Sequence, residues 1–167
     1  MIFIILIVSA VAMAFLFVLS QKKWQETLSF VFAAFFLLSI GLIVANFNQH
    51  FGMEQVVHSQ TVDLVSSVEQ QDTEALLYKP LGNGTERVYL YKTAAMEKPQ
   101  STGGQQVKND VSQDAEQAQL TTKRTEWVYK NNFYRLLFGF SGNNHEFIEQ
   151  ENQFNLPSNW QLLSTEN

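Results

Sequence analysis

The chain of 167 residues contains no cysteine, only three prolines, and no charged residue or histidine within residues 1–19 or 27–47. The missing cysteine excludes disulfides, thiolate catalysis and cysteine metal sites, and with them a lipoprotein anchor, which needs a cysteine. The missing charges are more informative. They leave two apolar runs whose lengths are close to the ~20 residues that a helix needs to cross ~30 Å of hydrocarbon.

The two apolar runs are separated by a polar break of six residues, 21–26. A backbone inside lipid must satisfy its own hydrogen bonds, so the runs predict two antiparallel transmembrane helices, at about 1–20 and 27–47, forming a hairpin over residues 1–48. The alternative is a signal peptide followed by one spanning helix. A signal peptide has a basic region before a shorter apolar core, whereas Ile2 follows Met1 directly here, so the flanks favour an uncleaved hairpin.

Lys22 and Lys23 are the only basic residues close to the apolar runs. Lys and Arg are enriched in short cytoplasmic loops, so the turn is predicted to lie in the cytoplasm, with the N-terminus and the C-terminal domain on the extracytoplasmic side of the cell membrane. Trp24 and Phe47 lie where aromatic rings anchor helix ends. The runs contain no ionisable residue, which argues against transport by this chain alone.

Small residues in the two runs indicate where helix backbones approach each other. Small-xxx-small spacing occurs from Ala10 to Ala14 and from Gly41 to Ala45. Packing within the hairpin is the favoured explanation, and oligomerisation through a remaining small face is the alternative. The residues concerned are Ser9, Ala10, Ala14, Ala33, Ala34, Gly41 and Ala45.

The remaining residues, 49–167, are enough for one small domain. Two of the 11 Lys and Arg residues and one of the 16 Asp and Glu residues lie in the polar break, which leaves 9 basic against 15 acidic residues. Nucleic-acid binding needs a basic face, so an acidic domain excludes nucleic acid as a partner.

Short runs of strand character with turn signals between them predict a small, mainly-β antiparallel domain or a partly closed barrel. Pro80 and the Gly-Asn-Gly that follows predict a β-hairpin turn at 80–85, and residues 70–74 predict another turn. Residues 133–140 suit either a strand buried on both faces or one turn of core helix. The predicted strands are 56–68, 75–78, 87–93, 120–129, 147–148 and 160–163.

Residues 94–119 contain no aromatic residue and scarcely any bulky apolar one. Such a segment buries too little to fold by itself, so it is predicted to be a flexible insertion, with a short helix at 110–119 as an added feature.

Catalytic patterns are missing throughout the chain. The run from Gly139 to Asn143 lacks the final glycine of a nucleophile elbow, and the Gly-x-Gly at 82–84 is not followed by a helix pattern. No histidine lies at metal-ligand spacing from another. The sequence therefore predicts no catalytic, cofactor-binding or metal site and no enzyme, with solvated surfaces for His50, His58, His145 and the acidic Glu146, Glu149 and Glu151.

Aromatic residues at strand spacing predict a core. The alternative is an exposed platform for sugar or peptidoglycan. These residues are Tyr89, Tyr91, Trp127, Tyr129, Phe133 and Tyr134.

The hairpin, the run His50-Phe51-Gly52-Met53, and residues 86–93 and 131–139 together resemble a family of uncharacterised two-helix membrane proteins of lactic acid bacteria, grouped as a domain of unknown function. The resemblance implies a bacterial cell-membrane protein with an extracytoplasmic C-terminal domain. It carries over no catalytic or binding residue.

The sequence favours a non-enzymatic, membrane-anchored protein whose outer β domain contacts another envelope component or a membrane protein. Its partners are then the lipid bilayer and that component. Two alternatives remain: an accessory subunit of a membrane transporter, and an envelope sugar-binding module or hydrolase.

Overall fold

The computed structural model describes residues 1–19, 22–68, 74–82 and 86–166. The predicted turn at 70–74, apart from Glu74, and the centre of the turn at 80–85 lie outside these ranges. The chain folds into two compact units. The first comprises Met1–Val56 and Trp127–Glu146, and the second Val57–Glu126 and Phe147–Asn167.

The first unit begins with two long helices, α1 (Ile2–Leu19) and α2 (Lys23–Gln49). Both are long and apolar enough to cross a membrane. In the most apolar stretch of each helix, only 11% of the residues are buried. The two predicted helices are confirmed, but α2 starts earlier than predicted because Gln25 Oε1 accepts the Lys22 N–H at 3.1 Å and closes the first turn. α2 ends where His50 adopts a left-handed conformation (φ 51°).

Serine side chains lie buried where α1 and α2 are in contact. Ser9, Ser29 and Ser39 are all buried, and Ser29 Oγ donates a hydrogen bond to the Met13 carbonyl of the neighbouring helix at 3.2 Å. Among the predicted small residues, Ala10, Ala33 and Ala45 are half-buried, whereas Ala14, Ala34 and Gly41 are exposed. The contact within the hairpin therefore uses part of the small-residue set together with serines.

Residues 133–140, for which the sequence allowed either a strand or a helix, lie in a helix, α3 (Asn132–Phe138), and the 3₁₀ turn that follows it (Gly139–Ser141). The Asn131 side chain caps it, since Oδ1 accepts the N–H groups of Phe133 and Tyr134. This cap decides between two structures that an apolar run allows equally. The core of the unit consists of Ile2, Met53, Tyr129 and Phe138, with Phe3, Leu42, Ile43, Trp127, Tyr134 and Leu137 packed against it.

In the described part of the chain, eight strands form two four-stranded sheets, with orders β1-β6-β7-β5 and β4-β3-β2-β8. The mainly-β domain after two apolar helices is thus confirmed. The strands are β1 (Met53–Asp63), β2 (Ala75–Leu81), β3 (Glu86–Tyr91), β4 (Gln100–Ser101), β5 (Val107–Ser112), β6 (Gln119–Tyr129), β7 (Glu146–Asn155) and β8 (Gln161–Ser164).

Both sheets are mixed, whereas the sequence predicted antiparallel pairing only. The predicted hairpin β2–β3 is antiparallel, but β2 pairs with β8, and β5 with β7, in parallel. Long connections permit parallel pairing and leave no local sequence signal. Pro80, predicted to end its strand, lies inside β2. The parallel pairing of β2 with β8 ends at Tyr78. Pro80, which has no N–H, therefore removes no hydrogen bond from that pairing.

The segment 94–119, predicted to be a flexible insertion, contributes β4 and β5 to the two sheets. The predicted helix at 110–119 is wrong: β5 continues to Ser112 and β6 begins at Gln119. Asn109 pairs with Asn152 of β7, and Val111 packs against the core. Cross-strand bonds order a sequence too polar to fold by itself.

The second unit has its own hydrophobic core, drawn from both sheets. Tyr89 of β3 and Phe154 of β7 lie at its centre, with their ring centroids 5.0 Å apart. The buried members are Leu64, Leu76, Tyr89, Leu120, Phe154, Leu156 and Trp160.

Candidate functional site

A chain of buried hydrogen bonds runs through the first unit. The Tyr129 hydroxyl donates to Asn143 Oδ1 at 2.6 Å, Asn143 Nδ2 donates to Asn46 Oδ1 at 3.0 Å, and Asn46 Nδ2 donates to the Phe51 carbonyl at 2.9 Å. Asn46 is fully buried, and Asn143 and Tyr129 are nearly so. The Phe51 carbonyl can only accept a hydrogen bond, so Asn46 must turn its Nδ2 toward it. Asn46 Oδ1 then faces Asn143 Nδ2, and the orientation of both side-chain amides is fixed.

The Tyr129 hydroxyl also lies 2.9 Å from the Phe138 carbonyl oxygen, so its single proton faces two acceptors. A phenolate there would face lone pairs on both sides. Burial raises the pKa of the Tyr129 phenol above its ordinary value of 10.0. The group is therefore a fixed neutral donor and is unsuited to acid–base catalysis near neutral pH.

His50 covers one face of Trp127. Their rings stack with centroids 4.2 Å apart and planes 8° apart, and His50 Nε2 lies 3.4 Å from Glu146 Oε2. The stack depends on the positive φ of His50, which turns the chain at the end of α2. His50 is therefore a partner of Trp127 and Glu146, although the sequence predicted a solvated surface histidine.

The other candidates from the sequence do not gather at one place. Glu149 pairs with Lys108 at 2.9 Å, and this hydrogen bond and charge raise the Lys108 pKa. His58 and His145 are exposed. Across residues 1–19, 22–68, 74–82 and 86–166 there is no group of three His, Asp or Glu residues able to hold a metal ion.

The aromatic residues divide between core and surface. Tyr89 and Tyr129 are buried, while Tyr91, Trp127 and Tyr134 are half-buried. This supports the core interpretation for most of them. Phe133 is the exception, with 65% of its surface exposed.

The second unit contains a cleft of about 670 Å³, lined by polar groups of β3, β5 and the loop before β5. Arg87 and Lys108 supply cations, and Gly103 and Gly104 pack closely against Val88 and Val107. The side chains of Thr102 and Asn109 also line the cleft but are bonded to backbone groups of Tyr89 and Arg87. The Arg87 guanidinium lies 4.6 Å from the centre of the Tyr78 ring, which orients it. Such a surface can bind hydroxyl and carboxylate groups.

Sequence reasoning did not identify the buried amide chain. Asn46 carries one local signal, an amide inside an otherwise apolar run. Asn143 carries none, because it lies among turn residues and the sequence marked it only as the position where a nucleophile elbow fails. The partners of Asn143 are set by tertiary structure.

The fold and these sites define a class: a protein with two helices of membrane-spanning length and composition, followed by a mainly-β part with a polar cleft. Residues 21–167 match the family model described as Domain of unknown function (DUF4811), and the chain belongs to that family. No curated protein and no solved structure matches it. The resemblance to a family of unknown function is thus confirmed.

Proposed function

We propose that this chain is a non-enzymatic, membrane-anchored protein of a bacterial cell membrane, with a hairpin that spans the bilayer and a β part that binds an extracytoplasmic envelope component. The outward surface of the hairpin carries the proposal. Large side chains such as Phe17, Phe30 and Leu37 are 66–74% exposed, and neither apolar window is covered by the rest of the chain. Lipid is the solvent that this surface fits.

The orientation rests on the exposed Lys22 and Lys23 beside the short break between α1 and α2. The preference of basic residues for cytoplasmic loops supports a turn in the cytoplasm. The β strands then lie on the extracytoplasmic side.

The polar cleft of the second unit is the proposed binding surface. Lys108 in the cleft is already paired with Glu149, so Arg87 is the cation that the cleft offers to a partner rich in hydroxyl and carboxylate groups. Among the described residues that line the cleft, Glu86 is the single carboxylate. Hydrolysis of glycosides normally uses a pair, so the lining supports binding over cleavage.

Topology is tested with single cysteines in intact cells, because the natural chain has none to interfere. Lys22→Cys marks the turn and Gln105→Cys marks an exposed loop of the β part. A membrane-impermeant maleimide should label Gln105→Cys alone. Labelling of Lys22→Cys alone would reverse the orientation, and labelling of both would contradict a spanning hairpin.

Binding is tested by sedimenting purified full-length protein in detergent with isolated envelope polymer. Arg87→Ala should reduce the bound fraction several-fold. Arg124→Ala, which also removes an exposed arginine but lies outside the cleft, serves as the matched control. Equal binding by wild type and both variants would contradict a role for the cleft.

An accessory role beside a transporter is the second candidate. Gly41 favours it, since this residue is exposed on α2 and a Cβ added there would meet nothing within 4 Å. A photocrosslinker at Gly41 in native membranes should then capture a larger membrane protein. Recovery of the monomer alone would contradict this candidate.

A further inference from the structure

α3 presents an apolar face that nothing in the first unit covers. At 100° per residue, Phe133, Leu136 and Phe140 lie within one 60° sector, taking the following 3₁₀ turn as a continuation of the helix. Tyr134 and Phe138 lie about 100° and 140° from Phe133 and, together with Leu137, pack against the core. The exposed fractions are 65% for Phe133, 62% for Leu136 and 78% for Phe140.

This face lies at the open end of the hairpin, where α1 begins and α2 ends. Ile2, the first residue of α1, shares a buried cluster with Phe138. Phe51, which follows α2 closely, contacts the rings of Tyr134 and Phe138 edge-on, with centroids 5.8 and 6.5 Å apart. The Met1 nitrogen also lies 2.9 Å from the Leu136 carbonyl oxygen.

The length of α1 sets the depth of α3, given the spanning hairpin proposed above, on which this inference rests. With 18 residues, α1 is about 27 Å long, close to the ~30 Å thickness of the hydrocarbon. Its first residue, Ile2, therefore lies at the boundary between hydrocarbon and headgroups. α3 packs on that residue and lies at the same level.

The charge around α3 suits a lipid surface. Residues 130–145 contain Lys130 and Arg135 but no Asp or Glu, although acidic residues outnumber basic ones beyond the hairpin. Both Lys130 and Arg135 are exposed. On the helical wheel Arg135 lies about 100° from Leu136 and about 160° from Phe133, on the side of α3 that faces water when the apolar face is inserted. The long side chain of an arginine on that side of an interfacial helix can reach the phosphates of anionic headgroups.

We propose that α3 is an interfacial membrane helix, with Phe133, Leu136 and Phe140 inserted among the acyl chains of the extracytoplasmic leaflet and Arg135 at the headgroups. The hairpin thus has a third, shallow membrane contact that holds its open end at the bilayer surface. A partner protein is the competing occupant, but the depth and the local positive charge favour anionic lipid.

The test uses full-length protein reconstituted in bilayers of phosphatidylcholine and phosphatidylglycerol. Single cysteines at Leu136, Arg135 and Leu38 are labelled with an environment-sensitive fluorophore, and each protein is quenched with brominated lipid and with aqueous iodide. Arg135→Cys is the matched control on the side of α3 that faces water. Leu38→Cys, exposed within α2, reports whether the hairpin is in the bilayer.

Brominated lipid should quench the labels at Leu136 and Leu38, whereas iodide should quench the label at Arg135. A label at Leu136 that iodide quenches and brominated lipid does not, with Leu38 still quenched by lipid, would overturn the inference and leave the proposed function standing. Protection of Leu136 from both quenchers would mean that a second copy covers the face, and would also overturn it. An unquenched Leu38 would refute the spanning hairpin itself.

Discussion

Asn143 donates a hydrogen bond to Asn46 across 97 residues of sequence, with 3.0 Å between Nδ2 and Oδ1. It links the end of a long apolar helix to the turn that follows α3. Both amides are buried, and each bonds at its other end, Asn46 to the Phe51 carbonyl and Asn143 to the Tyr129 hydroxyl. Removing any member leaves a buried polar group without its partner.

Asn46→Leu should lower the free energy of unfolding by about 2–4 kcal/mol, because the Phe51 carbonyl loses its partner and Asn143 Nδ2 keeps only its bond to the Met53 sulfur at 3.4 Å. Asn48→Leu makes the same substitution at an exposed position of α2 and should change it by less than about 0.5 kcal/mol. Thermal unfolding in detergent measures both. Similar losses in the two variants would contradict a structural role for the amide chain.

Gly52→Ala and Gly142→Ala separate backbone strain from a steric clash. Both glycines have positive φ, 82° and 77°, so alanine is strained at either position. A Cβ at Gly52 would overlap the Tyr134 ring, with Tyr134 Cγ 2.8 Å away, whereas a Cβ at Gly142 meets nothing within 4 Å. We expect a loss of about 1 kcal/mol at Gly142 and of roughly 2–4 kcal/mol at Gly52. Equal losses would show that Tyr134 moves aside freely.

Stability should fall with rising pH through the titration of Tyr129. Burial raises the pKa of Tyr129 in the folded state. The stability that the neutral phenol contributes is therefore fully present below the pKa of the unfolded state, and it is lost as pH rises through the pKa of the folded state. Unfolding is measured between about pH 8 and about pH 11, the range in which tyrosine titrates. Tyr129→Phe should be less stable at the lower end, by about 1 kcal/mol, and should decline less steeply with pH.

Tyr91→Phe is the control for this experiment, since the Tyr91 hydroxyl bonds Gln100 at the surface at 3.3 Å. We expect its profile to follow that of the wild type. A Tyr129→Phe profile parallel to that of the wild type would contradict the pH-dependent contribution of Tyr129.

His50→Ala should uncover one face of Trp127 and lower stability by about 1 kcal/mol. The measurement is iodide quenching of tryptophan fluorescence in a Trp24→Phe background, in which buried Trp160 contributes little quenching. Quenching should rise in His50→Ala. Glu146→Gln, which leaves the stacked rings intact, should stay close to the parent protein. Unchanged quenching in His50→Ala would mean that Trp127 is shielded by other groups.

Asn109→Ala should loosen β5. Asn109 Oδ1 accepts a bond from Asn152 Nδ2 at 2.9 Å, and Asn109 Nδ2 donates to the Arg87 carbonyl at 3.1 Å, so one side chain ties β5 to both sheets. Amide hydrogen exchange over residues 107–112 should become about five- to thirtyfold faster, since each of the two lost hydrogen bonds contributes ~1 kcal/mol. Asp110→Ala, exposed on the same strand, should leave exchange unchanged. Equal acceleration in both would point to a general fraying of β5.

The sequence by itself determined the features that depend on neighbouring residues. Two charge-free runs are enough for α1 and α2, because helix formation in an apolar segment needs no distant partner. The hairpin β2–β3 is likewise local, since its strands are joined by a short turn. The family resemblance came from the same local runs, and the family match confirms it.

Tertiary structure alone decided the rest. The parallel pairs β2–β8 and β5–β7 join segments far apart in the chain, and a period of two shows that a strand exists but not which strand it meets. The polar segment around Asn109 forms a strand in which Asn109 accepts a side-chain hydrogen bond from Asn152 of the neighbouring strand. In the sequence Asn143 lies among ordinary turn residues, and only the fold places it beside Asn46 and Tyr129. The physical reason is common to all three: the partners that fix the energetic role of a strand or a polar side chain are distant in sequence and are brought to it only by folding.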